Sequence, residues 1–427
     1  MTLAATDPTP LTAKASVAAA AHGAKRVRDL RLDFFRGIAM FIILIAHTPG
    51  NFLTSWIPAR WGFSDATEIF VFCSGMASAI AFGGTFDRAG WLLGTARVLF
   101  RVWQVYWAHV GLFFATLAAM VYLTDLPFTD RNYWGQLNLW MIFVESDKWE
   151  NPNILLSFMT LRWVPNYFDI LPMYMIVLLM MPVVMALAKV DLRLVAAFVI
   201  GVWVMGQTAL LGQFGLGHLH LEFPAEPWSD RTWFFNPFGW QLIFFTGFAF
   251  MRGWLPKPPV SAVLIALAAV IVVACVPLSN VGVRAIARDW FFVTPSGNPI
   301  VAAREALGPL IDKSDFGLLR YVHFLALAYL AWVLAGDKGN NLLARGTGAI
   351  ARGWAQTLKI ILKVGQQSLA VFITSMFAAR IMGFAMDMLG RDTVTTLLVN
   401  LAGAAVLVAV AYGAGWFKST PWKGKPA

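Results

Sequence analysis

The stretch RLDFFRGIAMFIILIAH, residues 31–47, places three ionisable side chains in a segment that is otherwise apolar enough to cross a membrane. A charge inside a bilayer is costly, so such residues usually face a polar interior and often serve function. On a helix that turns about 100° per residue, Arg36 and His47 return to within about 20° of one another, and Asp33 lies within about 60° of both. Asn51 falls on the same line one turn later. The spacing predicts a polar stripe about 16 Å long from Arg36 to His47, roughly half the thickness of the hydrocarbon core.

The composition is that of a polytopic membrane protein. Of the 427 residues, 59% are hydrophobic and only 13% are charged, which is far from the soluble globular range. The net charge of +10 comes from Lys and Arg between apolar segments, so it indicates membrane topology and no nucleic-acid partner. Cys73 and Cys275 both fall in predicted spans, where neither a disulfide nor a catalytic thiol is expected.

Hydrophobic windows predict an all-α bundle of ten transmembrane helices. The spans lie near 34–52, 67–86, 101–123, 169–188, 193–212, 237–252, 259–281, 318–335, 361–383 and 393–415. Most of the 33 Lys and Arg residues then lie on the side of the N-terminus, so the positive-inside rule places both termini in the cytoplasm. We predict a disordered cytoplasmic tail over 1–28, a transmembrane domain over 29–417 and a cytoplasmic tail over 418–427.

Three predicted outer loops are long, near 124–168, 213–236 and 283–317, and all three mix aromatic residues with Asp, Glu, Asn and Arg. Sugar rings stack on aromatic faces, and sugar hydroxyls require hydrogen-bonding partners. An aromatic belt at the membrane interface would have a similar composition. Both interpretations stay open at this stage.

Basic and polar residues are predicted at the inner end of the stripe. Arg97 and Arg101 are four positions apart, and thus on one helix face; Lys359, Lys363, Gln366 and Ser368 follow later in the chain. Such a basic mouth would suit the phosphates of a nucleotide. It is also what positive-inside topology supplies by itself.

A second set of polar residues is predicted near the outer end, at one depth but on different spans. Its members are Glu68, Asp169, Trp240, Gln241 and His323. Carboxylates and imidazoles that converge in this way suggest a reactive site. His109, in mid-span, is interpreted instead as a histidine hydrogen-bonded to a neighbouring helix.

The segment LDFFRGIAMFIILIAH, with an Arg and a His separated by ten residues, resembles the first-helix signature of the membrane acyltransferase-3 superfamily. Further stretches resemble its OpgC branch, the succinyltransferases of osmoregulated periplasmic glucans. They are DATEIFVFCSGM, PNYFDILPMYMIVLL, NPFGWQLIFFTGF, LLRYVHFLALAYL and GQQSLAVF. The resemblance covers nearly the whole chain after the tail.

The resemblance implies transfer of a succinyl group from cytoplasmic succinyl-CoA to hydroxyls of periplasmic glucans, in the inner membrane of a Gram-negative cell. His47 would remove the proton of the hydroxyl, and Glu68 or Asp169 would hold its imidazole in the correct tautomer. A covalent acyl-histidine is the other route. Arg36, Arg97 and Arg101 would hold the CoA phosphates, and Asp33 would pair with Arg36. The further substrate-binding candidates are Trp240, Gln241, His323 and Ser368.

The implied reaction needs acyl-CoA, glucan and a lipid bilayer as partners, with no permanently bound cofactor and no metal. A homo-oligomer stays open, and so does the acyl group. The alternatives are an O-acetyltransferase of a surface polysaccharide, a transporter or flippase, and a passive scaffold. A polar stripe through a bundle would also suit a permeation path, although no clear internal repeat supports a transporter.

Overall fold

The chain folds into a bundle of helices in the computed structural model, which describes residues 29–143, 153–285 and 298–423. The predicted tail 1–28 lies outside the described residues, as do the loop segments 144–152 and 286–297 and the last residues, 424–427. Within the described ranges the regular elements are all helices, and one isolated bridge between Pro224 and Thr232 forms no strand. This confirms the predicted all-α fold.

The long helices are α1 Leu30–His47, α2 Ala66–Ser78, α3 Gly84–Thr124, α4 Ile170–Leu187, α5 Leu192–Met205, α6 Pro237–Arg252, α7 Ala262–Cys275, α8 Leu318–Ala335, α9 Ala349–Gln366, α10 Ser368–Leu389 and α11 Thr393–Lys418. Among the described residues, five segments are long and apolar enough to cross a membrane: Ala66–Thr124, Ile170–Leu187, Leu318–Ala335, Ser368–Leu389 and Thr393–Lys423. Several apolar helices therefore make this a membrane protein. The count of ten spans and the sides of the termini stay predictions.

Some helices have the limits predicted from the sequence, and others do not. Helix α8 has the predicted limits, but α1 ends at His47, because the chain turns at Pro49 and Gly50, where Gly50 has φ +71°. Asn51 therefore lies beyond the helix and caps a short 3₁₀ turn, Phe52–Trp56. The span predicted near 361–383 is divided between α9 and α10, which meet at Gln367.

The longest apolar segment, Ala66–Thr124, contains two irregularities. A π-helical turn occupies Ala79–Gly83, and Gly90 has a non-helical φ of +81° inside α3. Both are established causes of helix bending. The two spans predicted near 67–86 and 101–123 are thus joined by bent helix instead of an open loop.

Glycines let two helix pairs approach closely around the site. A Cβ on Gly365 of α9 would lie 1.9 Å from the carbonyl oxygen of Asp33 in α1, and one on Gly37 would lie 2.1 Å from that of Ile361. Gly75 of α2 contacts the backbone of α6 in the same way, at 1.9 Å from the Phe244 oxygen. Small residues at such contacts are typical of membrane helix packing. These contacts hold α1 against α9 and α2 against α6. Helix α1 carries Arg36 and His47, and α2 carries Glu68.

Candidate functional site

A cavity of about 420 Å³ lies where several helices end, and His47 and Asp169 both line it. His47 is the last residue of α1, whereas Asp65 and Asp169 immediately precede α2 and α4. The wall also contains Thr54, Arg60, Tyr167, Phe235, Lys313 and Phe372. The N-termini of α2 and α4 lie beside the cavity and contribute partial positive charge there.

His47 is held by the helix backbone. Its Nδ1 lies 2.9 Å from the carbonyl oxygen of Ile43, one turn earlier. Because a carbonyl oxygen can only accept a hydrogen bond, the ring proton sits on Nδ1 and Nε2 keeps its lone pair. The edge of the imidazole packs against Tyr167, with ring centroids 5.4 Å apart. The structure thus assigns the orienting contact to Ile43, where the sequence predicted Glu68 or Asp169.

Asp169 is a buried carboxylate with an unused oxygen. Only 5% of the residue is exposed, its side chain makes no capping hydrogen bond to α4, and its Oδ1 has no partner among the residues that the structure describes. A buried oxygen without a hydrogen bond is unfavourable. Because Asp169 lines the cavity, this oxygen is free to accept a hydrogen bond there.

Glu68 lies behind the wall in a network of charges. Its Oε2 accepts from the backbone N–H of Asp65 at 2.7 Å, which forms a capping box at the start of α2. Its Oε1 pairs with Arg320 at 2.7 Å, and Glu68 is fully buried. Asp65 pairs with Lys313 at 2.5 Å. Burial by itself would raise the pKa of Asp65, but the Lys313 ammonium outweighs it and holds that pKa below its usual range.

Trp240, Gln241 and His323 support this region from behind without lining the cavity. The Trp240 indole N–H donates to the carbonyl oxygen of Lys313 at 2.9 Å, and Gln241 Nε2 donates to that of Val199 at 2.7 Å. His323 Nδ1 lies 2.7 Å from the Ser64 hydroxyl. All three predicted residues are buried, so their observed contacts position the walls.

His109 is buried elsewhere in the bundle. Its ring stacks on Phe158 with centroids 5.1 Å apart. Neither ring nitrogen has a hydrogen-bond partner in the described chain, although the sequence predicted a bond to a neighbouring helix. His109 thus lies apart from the cavity that His47 lines.

At the other end of α1, Arg36 contacts the start of α10. Its Nη2 donates to the Ser368 hydroxyl, while its Nε is buried with no hydrogen-bond partner in the part of the chain that the structure describes. Asp33 Oδ2 lies 3.5 Å from Gln366 Nε2, a weak contact. The structure therefore brings together Arg36 and Ser368, two residues that are far apart in the sequence.

Further cations surround this end of the stripe. Lys418 donates to Gln367 Oε1 at 2.7 Å, Lys363 lies over the Tyr412 ring at 5.6 Å, and the charges of Arg36, Arg101 and Lys363 all act on Lys418. Arg97 instead bonds to Thr85 Oγ1 at 2.5 Å on an exposed face. The basic group at the Arg36 end of the stripe is hence Arg36, Arg101, Lys363 and Lys418.

Sequence reasoning missed most of the cavity wall, including the polar residues Arg60, Tyr167 and Lys313. All three lie in loops or short turns, where apolar periodicity gives no signal. Tyr167 has φ +86°, a backbone conformation rare for a bulky residue, and the guanidinium of Arg380 lies 3.9 Å from its ring centroid. The sequence did contain one signal for the position of Asp65 and Glu68. Their spacing is that of a capping box, which marks the start of a helix.

Comparison with known proteins agrees with the sequence motifs. No curated protein and no solved structure matches the chain. A family model described as OpgC protein matches residues 28–419, and that range includes the described helices and both ends of the α1 stripe. The chain therefore belongs to the OpgC family, which indicates an acyltransferase role in glucan modification.

Proposed function

We propose that the protein is a transmembrane O-acyltransferase of a bacterial inner membrane. It transfers a succinyl group from succinyl-CoA on the cytoplasmic side to a hydroxyl of a periplasmic glucan. The proposal rests on the family together with one observation. His47, with its proton held on Nδ1 by Ile43, lines the same cavity as Asp169, whose Oδ1 has no hydrogen-bond partner in the described chain.

The chemistry follows from the free Nε2 of His47. This nitrogen accepts the proton of a sugar hydroxyl as the oxygen attacks the thioester carbonyl carbon. The C–S bond then breaks, and the proton on the imidazole passes to the departing CoA sulfur. An acyl-histidine relay would use the same nitrogen as a nucleophile. In both routes the side chain must be neutral at the start, with its lone pair towards the cavity.

Asp169 is proposed to position the acceptor. Its unpartnered Oδ1 accepts a hydrogen bond from the reacting hydroxyl or a neighbouring one and turns the sugar towards His47. Glu68 contributes indirectly, because its contacts with Asp65 and Arg320 hold the start of α2 in place. Trp240 likewise holds the chain at Lys313.

The inner end of the stripe is proposed to bind the CoA phosphates. Arg36 offers a buried, unpartnered Nε, and Arg101, Lys363 and Lys418 add positive charge around it. A guanidinium binds phosphate through paired hydrogen bonds, and the ammonium groups act as point charges. Arg36 and His47 lie in one unbroken helix, about 16 Å apart along its axis. An extended donor bound along α1 would place its phosphates and thioester at opposite ends.

The test is label transfer by the purified protein in vesicles. With succinyl-CoA labelled in the acyl group and with glucan, the wild type should place label on the sugar, and His47→Ala should lose at least about a hundredfold in rate. His218→Ala, at an exposed histidine, is the matched control and should be unaffected.

The same assay separates the alternatives. Transfer from acetyl-CoA but not from succinyl-CoA would identify an acetyltransferase. Movement of glucan across the vesicle membrane without labelling would identify a transporter. A His47→Ala variant that folds normally and keeps activity within about tenfold of the wild type would remove His47 from the proposed catalytic role.

A further inference from the structure

Arg60 is a cation on the wall of the His47 cavity that has no counter-ion. Its guanidinium takes part in no hydrogen bond or ion pair within residues 29–143, 153–285 and 298–423. The other strong cation on the wall, Lys313, is already neutralised by Asp65 at 2.5 Å. Among the described residues that line this cavity, Arg60 is therefore the cation without a counter-ion, whereas the guanidinium of the nearby Arg380 lies over the Tyr167 ring.

The backbone around Arg60 is fixed, although the side chain has no partner. The turn Pro58–Trp61 is closed by the Gly62 N–H, which donates to the Pro58 oxygen at 3.2 Å. The Trp61 indole donates to the Ser55 oxygen at 3.1 Å. A Cβ on Gly62 would lie 2.4 Å from His323 Nε2, so this turn packs directly against α8. The wall thus holds Arg60 in a defined place.

The charges around the cavity indicate where an anionic group would bind. Asp169 repels a carboxylate from its own part of the wall but can accept a sugar hydroxyl. Arg60 attracts a carboxylate, and its planar guanidinium matches the two oxygens of one. A ligand with a reacting carbonyl near His47 and a negative charge at its far end would suit both parts of the wall, because its charged end would contact Arg60 and lie away from Asp169. A monoacyl group derived from a dicarboxylic acid has this chemistry, whereas a simple alkanoyl group does not.

We propose that Arg60 binds the free carboxylate of the transferred acyl group and thereby selects a dicarboxylic monoacyl donor over a neutral one. This inference rests on the proposed acyl transfer. The sequence motifs do not show which residue selects the succinyl group, and the inference assigns this selectivity to the Arg60 side chain. Arg320 does not compete for the carboxylate, because Glu68 neutralises it behind the wall.

The test compares three donors with the full-length protein in vesicles: succinyl-CoA, butyryl-CoA with the same chain length and no carboxylate, and acetyl-CoA. Arg60→Gln should lower kcat/KM for succinyl-CoA by about ten- to hundredfold, the range expected for charge-assisted hydrogen bonds. Transfer from the two neutral donors should change by less than about threefold. Arg193→Gln, at an exposed arginine that lies outside the cavity and has no ion pair in the described chain, should leave all three unchanged.

Binding provides a second measurement in case the neutral donors are too slow to compare. A non-reactive succinyl-CoA analogue should lose affinity for Arg60→Gln, while free CoA should bind as before. If the variant loses the same factor with every donor, or binds the analogue and CoA with equally reduced affinity, Arg60 does not recognise the acyl carboxylate. An unchanged succinyl reaction overturns the inference and leaves the proposed function intact, whereas a wild type that labels no glucan overturns both.

Discussion

The single residues of the site differ in which of their polar atoms already have a hydrogen-bond partner within the protein. The Nδ1 of His47 is committed to the Ile43 carbonyl oxygen, and its Nε2 is not. Both carboxylate oxygens of Glu68 have partners, whereas Asp169 keeps one without a partner. The sequence could indicate which ionisable residues lie in the membrane. It could not indicate which of their atoms stay available, because that depends on side chains from distant segments.

Asp169→Asn should lower transfer without lowering stability. Removing the negative charge weakens the proposed hydrogen bond to the sugar, and we expect a loss of about ten- to hundredfold in kcat/KM. The Oδ1 of this buried carboxylate has no hydrogen-bond partner among the described residues, so its charge is poorly compensated and the Tm should fall little or not at all. Steady-state kinetics and thermal unfolding in detergent measure the two effects.

Asp387→Asn is the matched control, because Asp387 is a buried carboxylate that is fully engaged. Its Oδ1 accepts from Arg391 at 2.5 Å and pairs with Arg131 at 2.9 Å. This variant should lower the Tm and keep its kcat/KM. The opposite pattern, with Asp169→Asn less stable but fully active, would show that Asp169 is a structural residue.

At the scale of helices, apolar periodicity located most elements but not their junctions. The limits of α6 and α8 agree with the predicted spans because Asn236–Pro237 and Gly317 mark their starts. The junction of α9 and α10 was missed, since the segment around Gln367 contains no Pro and continues the apolar pattern into α10. The sequence contained the glycines at helix contacts, but only the structure shows which helices meet there.

Gly365→Ala should destabilise the bundle. The new methyl group would lie 1.9 Å from the Asp33 carbonyl oxygen, a backbone atom that cannot move aside alone. Forcing α9 away from α1 should cost about 1–3 kcal/mol and reduce transfer, since α1 carries both Arg36 and His47. Denaturant or thermal unfolding measures the loss.

Gly353→Ala, on the same helix, is the control. Its new methyl group would have no neighbour within 4 Å, so replacing a helical glycine should stabilise by about 0.5–1 kcal/mol. Equal effects of the two substitutions would mean that the contact between α9 and α1 is not close.

In the whole molecule, helix α1 runs between two dissimilar sites. A basic group surrounds Arg36 at one end, and a cavity with His47 and Asp169 lies at the other. The composition predicted a membrane bundle and the motifs predicted its family. The cavity itself could not be predicted in detail, because its wall combines segments between Ile42 and Met376 that only the fold brings together.

The sidedness of the reaction in sealed vesicles of known orientation tests most directly whether α1 connects donor and acceptor across the membrane. In right-side-out vesicles, labelled succinyl-CoA loaded inside should label glucan supplied outside, and His47→Ala should abolish the labelling. Succinyl-CoA supplied outside should be inert, because its charged nucleotide does not cross a bilayer unaided. If external succinyl-CoA labels external glucan equally well in vesicles shown to be intact, Arg36 does not mark a cytoplasmic CoA site, and α1 does not connect donor and acceptor across the membrane.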